Sequence, residues 1–259
     1  MNANSCSDHR FDGTLSVVVP VKDEEENIGS LLEEIKLKTG GSVSALEIIV
    51  VNDGSQDRTR GIIASSGIHP LRYVEFDRNY GQTAALDCGF KMASGDIVAA
   101  LDGDGQNDPG DIPSMISYMI GNGLDVVCGW RKDRKDNYYR RFLMRLAYYF
   151  RQLFLHDGIL DSGCTLKVFT MKALAGLDLS DGQHRFIPAI MRLRGMRIGE
   201  IEVSHRPRNG GKSKYHSMGR VLHGIKDAFA LRRSKGKVAP VLYSIKEIIH
   251  PHFPNIFFL

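Results

Sequence analysis

The stretch DIVAALDGDGQ, residues 96–106, joins an apolar run to two acidic residues, Asp102 and Asp104, that are separated by a glycine. An uninterrupted apolar run is typical of a strand that is buried on both faces of a sheet. The aspartates and glycines that follow are typical of a tight turn. The stretch therefore predicts a buried strand whose carboxyl end carries an acidic loop.

The same pattern recurs along the chain. Strands are expected at 15–19, 46–51, 71–76, 96–101 and 125–128, and helices at 27–35, from about 57, at 82–92 and at 109–119. Strands that alternate with helices indicate βαβ units and a mostly parallel sheet. Such a sheet binds ligands at the carboxyl ends of its strands. We therefore expect an α/β domain whose two acidic loops, after residues 51 and 101, lie at the binding edge.

Length and composition narrow the class of protein. The chain has 259 residues, 42% of them hydrophobic and 25% charged, which favours a folded globular domain over a disordered or fibrous chain. The formal net charge of +4 is too small to indicate a nucleic-acid partner, and none is expected. No apolar run reaches the ~18 residues of a membrane-spanning helix. The widely spaced cysteines favour a reducing, cytoplasmic setting.

The acidic loops suggest a metal and a nucleotide. Asp102 and Asp104, two positions apart on a turn, can approach one divalent cation and leave coordination sites for phosphate oxygens. Asp53 ends the second predicted strand and can accept hydrogen bonds from a base or ribose. Plain turns are the alternative for both loops, with Ser55 or Asp57 as the cap of the next helix. Glycine-rich phosphate loops of the GxGxxG or GxxxxGK[ST] type are absent, so a metal and basic side chains must neutralise any phosphate.

Two later segments carry basic residues. HRPRNGGKSKY, residues 205–215, can close over a diphosphate, or it is a solvated basic loop; the acidic loops favour the first interpretation. RRFLMRLAYYFRQLFL, residues 140–155, predicts an amphipathic helix with a basic side. It can lie on an anionic membrane or pack against the core with its basic side in solvent. We expect a flexible leader at 1–13, one domain at 14–233, and a C-terminal amphipathic or helical tail at 234–259 that contacts a membrane or a partner.

Six separated blocks together resemble the family 2 glycosyltransferases of GT-A fold, and within them the polyprenyl-phosphate, dolichyl-phosphate mannose synthase-like branch. The blocks are VVVPVKDEEENI (17–28), VNDGSQDRT (51–59), RNYGQTAALDCGF (78–90), LDGDGQNDP (101–109), SGCTLKVF (162–169) and RPRNGGKSKY (206–215). They cover most of residues 15–216 in the order of the family. The resemblance implies a GT-A fold, with a Rossmann-like, mostly parallel sheet flanked by helices.

The resemblance also implies roles for individual residues. Around a nucleotide-sugar it implies Pro20, Lys22, Glu24, Asp53, Asp102 and Gly103. As ligands of Mg²⁺ or Mn²⁺ it implies Asp104 and Gln106. As catalytic residues it implies Asp104, Arg131, Arg208 and Lys214. For the acceptor phosphate it implies Arg140 and Arg145, and helical spacing adds Arg141. His184 and Arg185 match a block beside the acceptor channel, although a structural histidine is an equal interpretation.

The implied reaction is an inverting transfer of a sugar from a UDP- or GDP-linked donor to a polyprenyl phosphate, for the modification of a cell-envelope glycan or lipid. A phosphate oxygen is anionic near neutral pH and needs no strong general base. We expect a protein bound peripherally to the cytoplasmic face of a membrane. The contact would be made by the 140–155 helix, by the tail, or through a separate membrane subunit. A homo-oligomer is the other partner that the sequence leaves open.

Two alternatives stay open. A GT-A enzyme that acts on a glycan hydroxyl needs a carboxylate base, for which Asp161 and Asp181 are the candidates. A noncatalytic nucleotide-sugar-binding partner protein is the other alternative. The intact set of Asp102, Asp104 and Gln106 with Arg208 and Lys214 argues against a noncatalytic protein. The donor sugar, its base and the length of the lipid are left open.

Overall fold

The apolar runs of the sequence form the strands of one sheet. The computed structural model describes residues 10–132, 148–149, 152–153, 158–207 and 240–249. The strands in these ranges are β1 (Phe11–Val21), β2 (Val43–Asn52), β3 (Leu71–Phe76), β4 (Ile97–Ala100), β5 (Val126–Trp130), β6 (Lys167–Thr170), β7 (Ile198–Glu202) and β8 (Ile245–Ile249). The α-helices are α1 (Ile28–Thr39), α2 (Thr59–Ser65), α3 (Gln82–Met92), α4 (Ile112–Gly121), α5 (Met171–Leu174) and α6 (Ile187–Leu193). The strands and helices predicted up to residue 130 are confirmed.

The strand order is β7–β5–β6–β4–β1–β2–β3–β8. Neighbours among β1 to β4 run parallel, and β5 and β7 are parallel to each other. β6 runs antiparallel to both β4 and β5, and β8 runs antiparallel to β3. The expected mostly parallel α/β sheet is therefore confirmed.

Both faces of the sheet are covered, which explains the uninterrupted apolar run of β1. Val18 is buried on the face that α3, α5 and α6 cover. Val17 and Val19 point to the other face, where they pack with residues of α1, α2 and α4. Because successive side chains of a strand alternate between faces, a strand in this position needs apolar residues throughout.

The C-terminal tail departs from the expectation of an amphipathic or helical extension. Its described part, 240–249, contains the edge strand β8, and Lys246 Nζ lies 2.7 Å from the buried carboxylate of Glu75 on β3. Arg60 contacts both Glu75 and Glu247. The isoleucine-rich segment 245–249 has high strand propensity and pairs with an edge that β3 otherwise leaves open. No helix in the described ranges is long and apolar enough to cross a membrane.

Candidate active site

The carboxyl ends of β1, β2 and β4 meet at one edge of the sheet, where both acidic loops begin. The Asp53 backbone N–H donates to Val21 O at 2.9 Å. A Cβ atom at Gly103 would lie 2.7 Å from a Val21 methyl group and 3.2 Å from Pro20 O. A glycine is therefore required at 103, because the second acidic loop packs directly against the end of β1. This contact brings Pro20, Asp53 and Gly103 into one neighbourhood.

The first acidic loop is closed by hydrogen bonds to its own surroundings. The two Asp53 carboxylate oxygens accept from the backbone N–H groups of Tyr80, at 2.6 Å, and Gly81, at 2.9 Å. Burial raises the pKa of Asp53, although these two donors oppose the rise. Lys22 Nζ donates to Gly54 O at 3.0 Å. Asp53 therefore binds the backbone of the segment that leads into α3. Lys22 binds a backbone carbonyl of the turn that follows Asp53.

Glu24 joins the β1 loop to its neighbours. Its carboxylate accepts from Asn27 Nδ2 at 2.9 Å, and its backbone N–H donates to Thr59 Oγ1 at 2.9 Å. Asp57 accepts from the backbone N–H of Glu25 and of Thr59, the first residue of α2. The loops after β1 and β2 are thus bound to each other. Asp57, one of the two cap candidates, accepts from the first N–H of α2, although the N-cap residue itself is Arg58.

Asp102 is held by two residues for which the sequence motifs predict no role. Gln82, the first residue of α3, donates from Nε2 to Asp102 Oδ1 at 2.6 Å, and Thr165 Oγ1 donates to Oδ2 at 2.7 Å. Burial and the neighbouring Asp104 raise the pKa of Asp102, while Thr165 and Arg131 oppose the rise. Gln82 and Thr165 lie inside two of the matched sequence blocks, which was their only signal.

Asp104 and Gln106 lie on the turn that follows. Asp104 Oδ1 accepts from the Gln106 backbone N–H at 3.1 Å, and Gly105 between them has a φ of 71°. The Gln106 amide nitrogen donates to Arg206 O at 3.4 Å, which leaves the amide oxygen as the atom for a cation. A carboxylate and an amide oxygen are hard ligands that suit Mg²⁺ or Mn²⁺, with water and ligand phosphates completing the shell.

Arg131 is bound to an acidic partner at the end of β5. Its Nε and Nη2 donate to the two Asp161 oxygens at 2.7 and 3.0 Å, with the side chains only 12% and 9% exposed. Burial lowers the pKa of Arg131, but Asp161 outweighs this and raises it. Glu200 accepts from the backbone N–H of Leu160 and Asp161, at 2.9 Å each. Asp161 is therefore a poor candidate for a general base, since a guanidinium binds both oxygens.

His184 belongs to a contact between α3 and the loop before α6. Its Nδ1 lies 2.7 Å from Thr83 Oγ1, which also accepts from the Gly182 backbone N–H at 3.1 Å. Burial, with the charges of Arg185 and Lys167 nearby, lowers the pKa of His184 to about 3. The ring is neutral at pH 7, so the hydrogen-bonded structural histidine is the better supported interpretation. Asp181, the second candidate base, is exposed on this loop.

Part of the expected site lies outside the described residues. This holds for the acceptor-phosphate arginines and for the basic residues past Pro207, namely Arg140, Arg141, Arg145, Arg208, Lys212 and Lys214. Arg206, the first basic residue of the 205–215 segment, is described. It is bound to carboxylates, with Nη1 2.8 Å from Glu34 Oε2 and Nη2 2.5 Å from Asp108 Oδ2.

Comparison with known proteins identifies relatives of the whole domain. The model of glycosyl transferase family 2 matches residues 16–177. The chain is 40% identical over 208 residues to dodecaprenyl-phosphate galacturonate synthase of Rhizobium johnstonii, covering 78% of this chain and 61% of the relative. It is 33% identical over 207 residues to undecaprenyl-phosphate 4-deoxy-4-formamido-L-arabinose transferase of Serratia proteamaculans, covering 79% and 63%. The chain thus spans less than two thirds of the length of these relatives.

Solved structures agree on the fold. Glucosyl-3-phosphoglycerate synthase of Mycobacterium tuberculosis, in complex with Mn²⁺, UDP-glucose and phosphoglyceric acid, superposes with a TM-score of 0.65 at 19% identity. The match covers 86% of this chain and 80% of the other. The expected GT-A architecture is confirmed. With the family model matching residues 16–177 and two relatives above 30% identity, the chain belongs to glycosyl transferase family 2.

Proposed function

We propose that this chain transfers a sugar from a nucleotide-sugar to a polyprenyl phosphate, with inversion at the anomeric carbon. The observation that carries the proposal is the 102–106 loop at the carboxyl edge of the sheet, where Gln82 and Thr165 hold Asp102 and the turn that follows carries Asp104 and Gln106. The two relatives named above are, by their names, a synthase and a transferase of polyprenyl-phosphate sugars.

In this proposal Asp104 and Gln106 hold Mg²⁺ or Mn²⁺ against the donor diphosphate. The cation, when bound, would neutralise charge that develops on the leaving nucleoside diphosphate. Asp102 fixes the turn that carries these ligands. The neighbourhood of Pro20, Lys22, Glu24, Asp53 and Gly103 would receive the nucleoside.

The acceptor phosphate oxygen forms the new bond to the anomeric carbon as the bond to the diphosphate breaks. Because this oxygen is already anionic, the reaction needs positioning and charge stabilisation rather than a base. Arg140, Arg141, Arg145, Arg208 and Lys214 are the proposed partners of the phosphates, and Arg131 would contribute its charge from the pair with Asp161. The binding of Asp161 to Arg131 favours a phosphate acceptor over a hydroxyl acceptor.

We also propose that the chain binds peripherally to the cytoplasmic face of a membrane. Support comes from Tyr149 and Leu153, two residues of the predicted amphipathic helix that are 68% and 62% exposed. The test is cosedimentation of the purified protein with vesicles that contain anionic lipid. Binding at low salt that weakens at high salt is expected, and indifference to the vesicles at low salt would contradict this part.

Transfer itself is tested with labelled UDP- and GDP-sugars and vesicles that contain undecaprenyl phosphate. We expect label in a solvent-extractable lipid that mild acid releases, and only when Mg²⁺ or Mn²⁺ is present. Label that appears instead on a soluble glycan would favour the hydroxyl acceptor. If hydrolysis or transfer is equally fast with and without a chelator, the metal assignment in the proposal is wrong.

A further inference from the structure

Four charged side chains bind one another beside the acidic loop, and we call them the clasp: Glu34, Lys38, Asp108 and Arg206. Lys38 Nζ lies 3.0 Å from Glu34 and 2.8 Å from Asp108, and the Arg206 guanidinium bridges the same two carboxylates. The side chains are 22–33% exposed. The clasp therefore joins α1 to two segments that are about a hundred residues apart in sequence.

The backbone at Arg206 is bound to the acidic loop itself. The Arg206 N–H donates to Gln106 O at 2.9 Å, and the Gln106 amide donates back to Arg206 O at 3.4 Å. Asn107 and His205 form a bridge of the antiparallel type next to this pair. The chain on either side of Arg206 is therefore aligned with the turn that carries Gln106.

We propose that Arg206, held by Glu34 and Asp108, is a positioning residue that fixes the Gln106 backbone and orients its amide oxygen toward a divalent cation. The inference rests on the proposed function, since it presumes a cation at Asp104 and Gln106. It adds residues outside the acidic loop to the set that determines how tightly the cation is bound.

The chemistry of the amide explains why such a partner matters. The two ends of a glutamine amide have the same shape but opposite hydrogen-bonding character, so the orientation depends on its neighbours. The Arg206 carbonyl can only accept, so it binds the nitrogen end and leaves the oxygen end for a ligand role. Residues that orient metal ligands in this way typically change metal affinity by about 10–100-fold when they are replaced.

The charges of the clasp hold Arg206 in place. Its guanidinium bridges Glu34, at 2.8 Å, and Asp108, at 2.5 Å, and Lys38 contacts the same two carboxylates. A planar guanidinium suits two carboxylates better than an ammonium group.

The test is Mn²⁺ binding followed by electron paramagnetic resonance, with UDP present and with GDP in a parallel series. In Arg206→Met we expect the Mn²⁺ affinity to fall about tenfold. Arg206→Lys keeps the positive charge but not the planar guanidinium that bridges two carboxylates. In this variant we expect a smaller loss of Mn²⁺ affinity. The matched control is Asp178→Asn, which breaks the surface pair with Lys91, 2.8 Å long in the wild type, and leaves Mn²⁺ affinity unchanged.

A second variant guards against loss of the fold. Glu34→Gln keeps the shape of the side chain, removes one charge that holds Arg206, and is expected to weaken Mn²⁺ about threefold while the melting temperature stays within a few degrees. Equal Mn²⁺ affinity in wild type, Glu34→Gln and a folded Arg206→Met would overturn the inference and leave the proposed function intact. No Mn²⁺ binding by the wild type with either nucleotide would overturn the metal assignment in the proposed function, and the inference with it.

Discussion

The two acidic loops at the carboxyl edge of the sheet look alike in sequence but are held in different ways. In the loop after β2, backbone N–H groups of Tyr80 and Gly81 take up both oxygens of Asp53. In the loop after β4, side chains from two distant segments, Gln82 and Thr165, hold Asp102. Arg206 holds the end of that loop through Gln106.

This difference predicts that Asp53 acts mainly on the stability of the fold, and that the 102–106 turn acts mainly in the proposed reaction. A carboxylate whose two oxygens accept from backbone N–H groups contributes mainly to folding, because its removal costs those hydrogen bonds. A turn that is fixed from outside by side chains can present Asp104 and Gln106 as ligands without large rearrangement. We therefore expect substitutions in the first loop to reduce stability, and substitutions in the second loop to reduce turnover.

The largest expected effect is that of Asp104→Ala. Loss of the carboxylate ligand should reduce sugar transfer by at least about 100-fold, because the cation no longer stabilises the leaving diphosphate. Circular dichroism and the melting temperature should stay close to those of the wild type, since Asp104 is only half-buried and its described hydrogen bond is the local one from the Gln106 N–H. Full transfer activity in this variant would refute the metal assignment.

Asp53→Asn is expected to act on stability. The amide offers one acceptor oxygen where the carboxylate offers two, so one of these two hydrogen bonds is lost. The Tyr80 N–H is the sensitive donor, because the Gly81 N–H also donates to Asn79 Oδ1 at 2.9 Å. The free energy of unfolding should fall by about 1–3 kcal/mol in urea titrations. The matched variant Asp104→Asn should stay within about 0.5 kcal/mol of the wild type. If Asp104→Asn lowers the free energy of unfolding and Asp53→Asn does not, the proposed distinction between the two loops is wrong.

Thr165→Val tests how Asp102 is held. The substitution keeps the shape of the side chain and removes the hydroxyl that donates to Asp102 at 2.7 Å. We expect kcat/KM for transfer to fall about tenfold, the typical loss when one charged hydrogen bond that orients a site is removed. Ser117→Ala, which removes an exposed hydroxyl on α4, serves as the control and should leave kcat/KM unchanged. Wild-type kinetics in Thr165→Val would show that Asp102 needs no such support.

His184→Gln acts on the pH dependence of stability and probes Thr83, the neighbour of Gln82 on α3. The pKa of His184 is lowered to about 3 in the fold, below its ordinary value near 6.5. Below that ordinary value the unfolded chain binds a proton that the folded chain does not, so stability falls as the pH decreases toward 3. Between pH 7 and pH 5 the variant should lose about 2 kcal/mol less stability than the wild type. Parallel stability profiles would contradict the buried, neutral ring.

The strands that lead into the two loops could be predicted from the sequence. A strand that is buried on both faces needs apolar residues at every position, as Val17 to Val19 of the neighbouring β1 illustrate. The placement of Asp53 and Asp102 at one edge followed from those strand ends. The antiparallel insertion of β6 and the addition of β8 could not be predicted, since tertiary contacts such as Lys246 with Glu75 determine them.

The side-chain contacts inside the site could not be predicted from the sequence either. Gln82 and Thr165 are separated by more than eighty residues, and no spacing rule connects them to Asp102. The pairing of Arg131 with Asp161 links two residues that had been assigned to different roles. Side-chain contacts between segments far apart in sequence depend on the assembled fold, whereas strand ends depend on local patterns.

The 102–106 loop is tested as a metal and diphosphate site by the melting temperature, measured with a panel of UDP- and GDP-sugars with and without Mn²⁺. A ligand that binds only the folded chain raises the melting temperature, and at equal concentration a tighter ligand raises it more. We predict that at least one donor stabilises the wild type and Asp53→Asn in a Mn²⁺-dependent manner, and that Asp104→Asn loses the Mn²⁺ dependence. Stabilisation that is the same without Mn²⁺, or that survives unchanged in Asp104→Asn, would contradict the assignment of the 102–106 loop as the metal and diphosphate site.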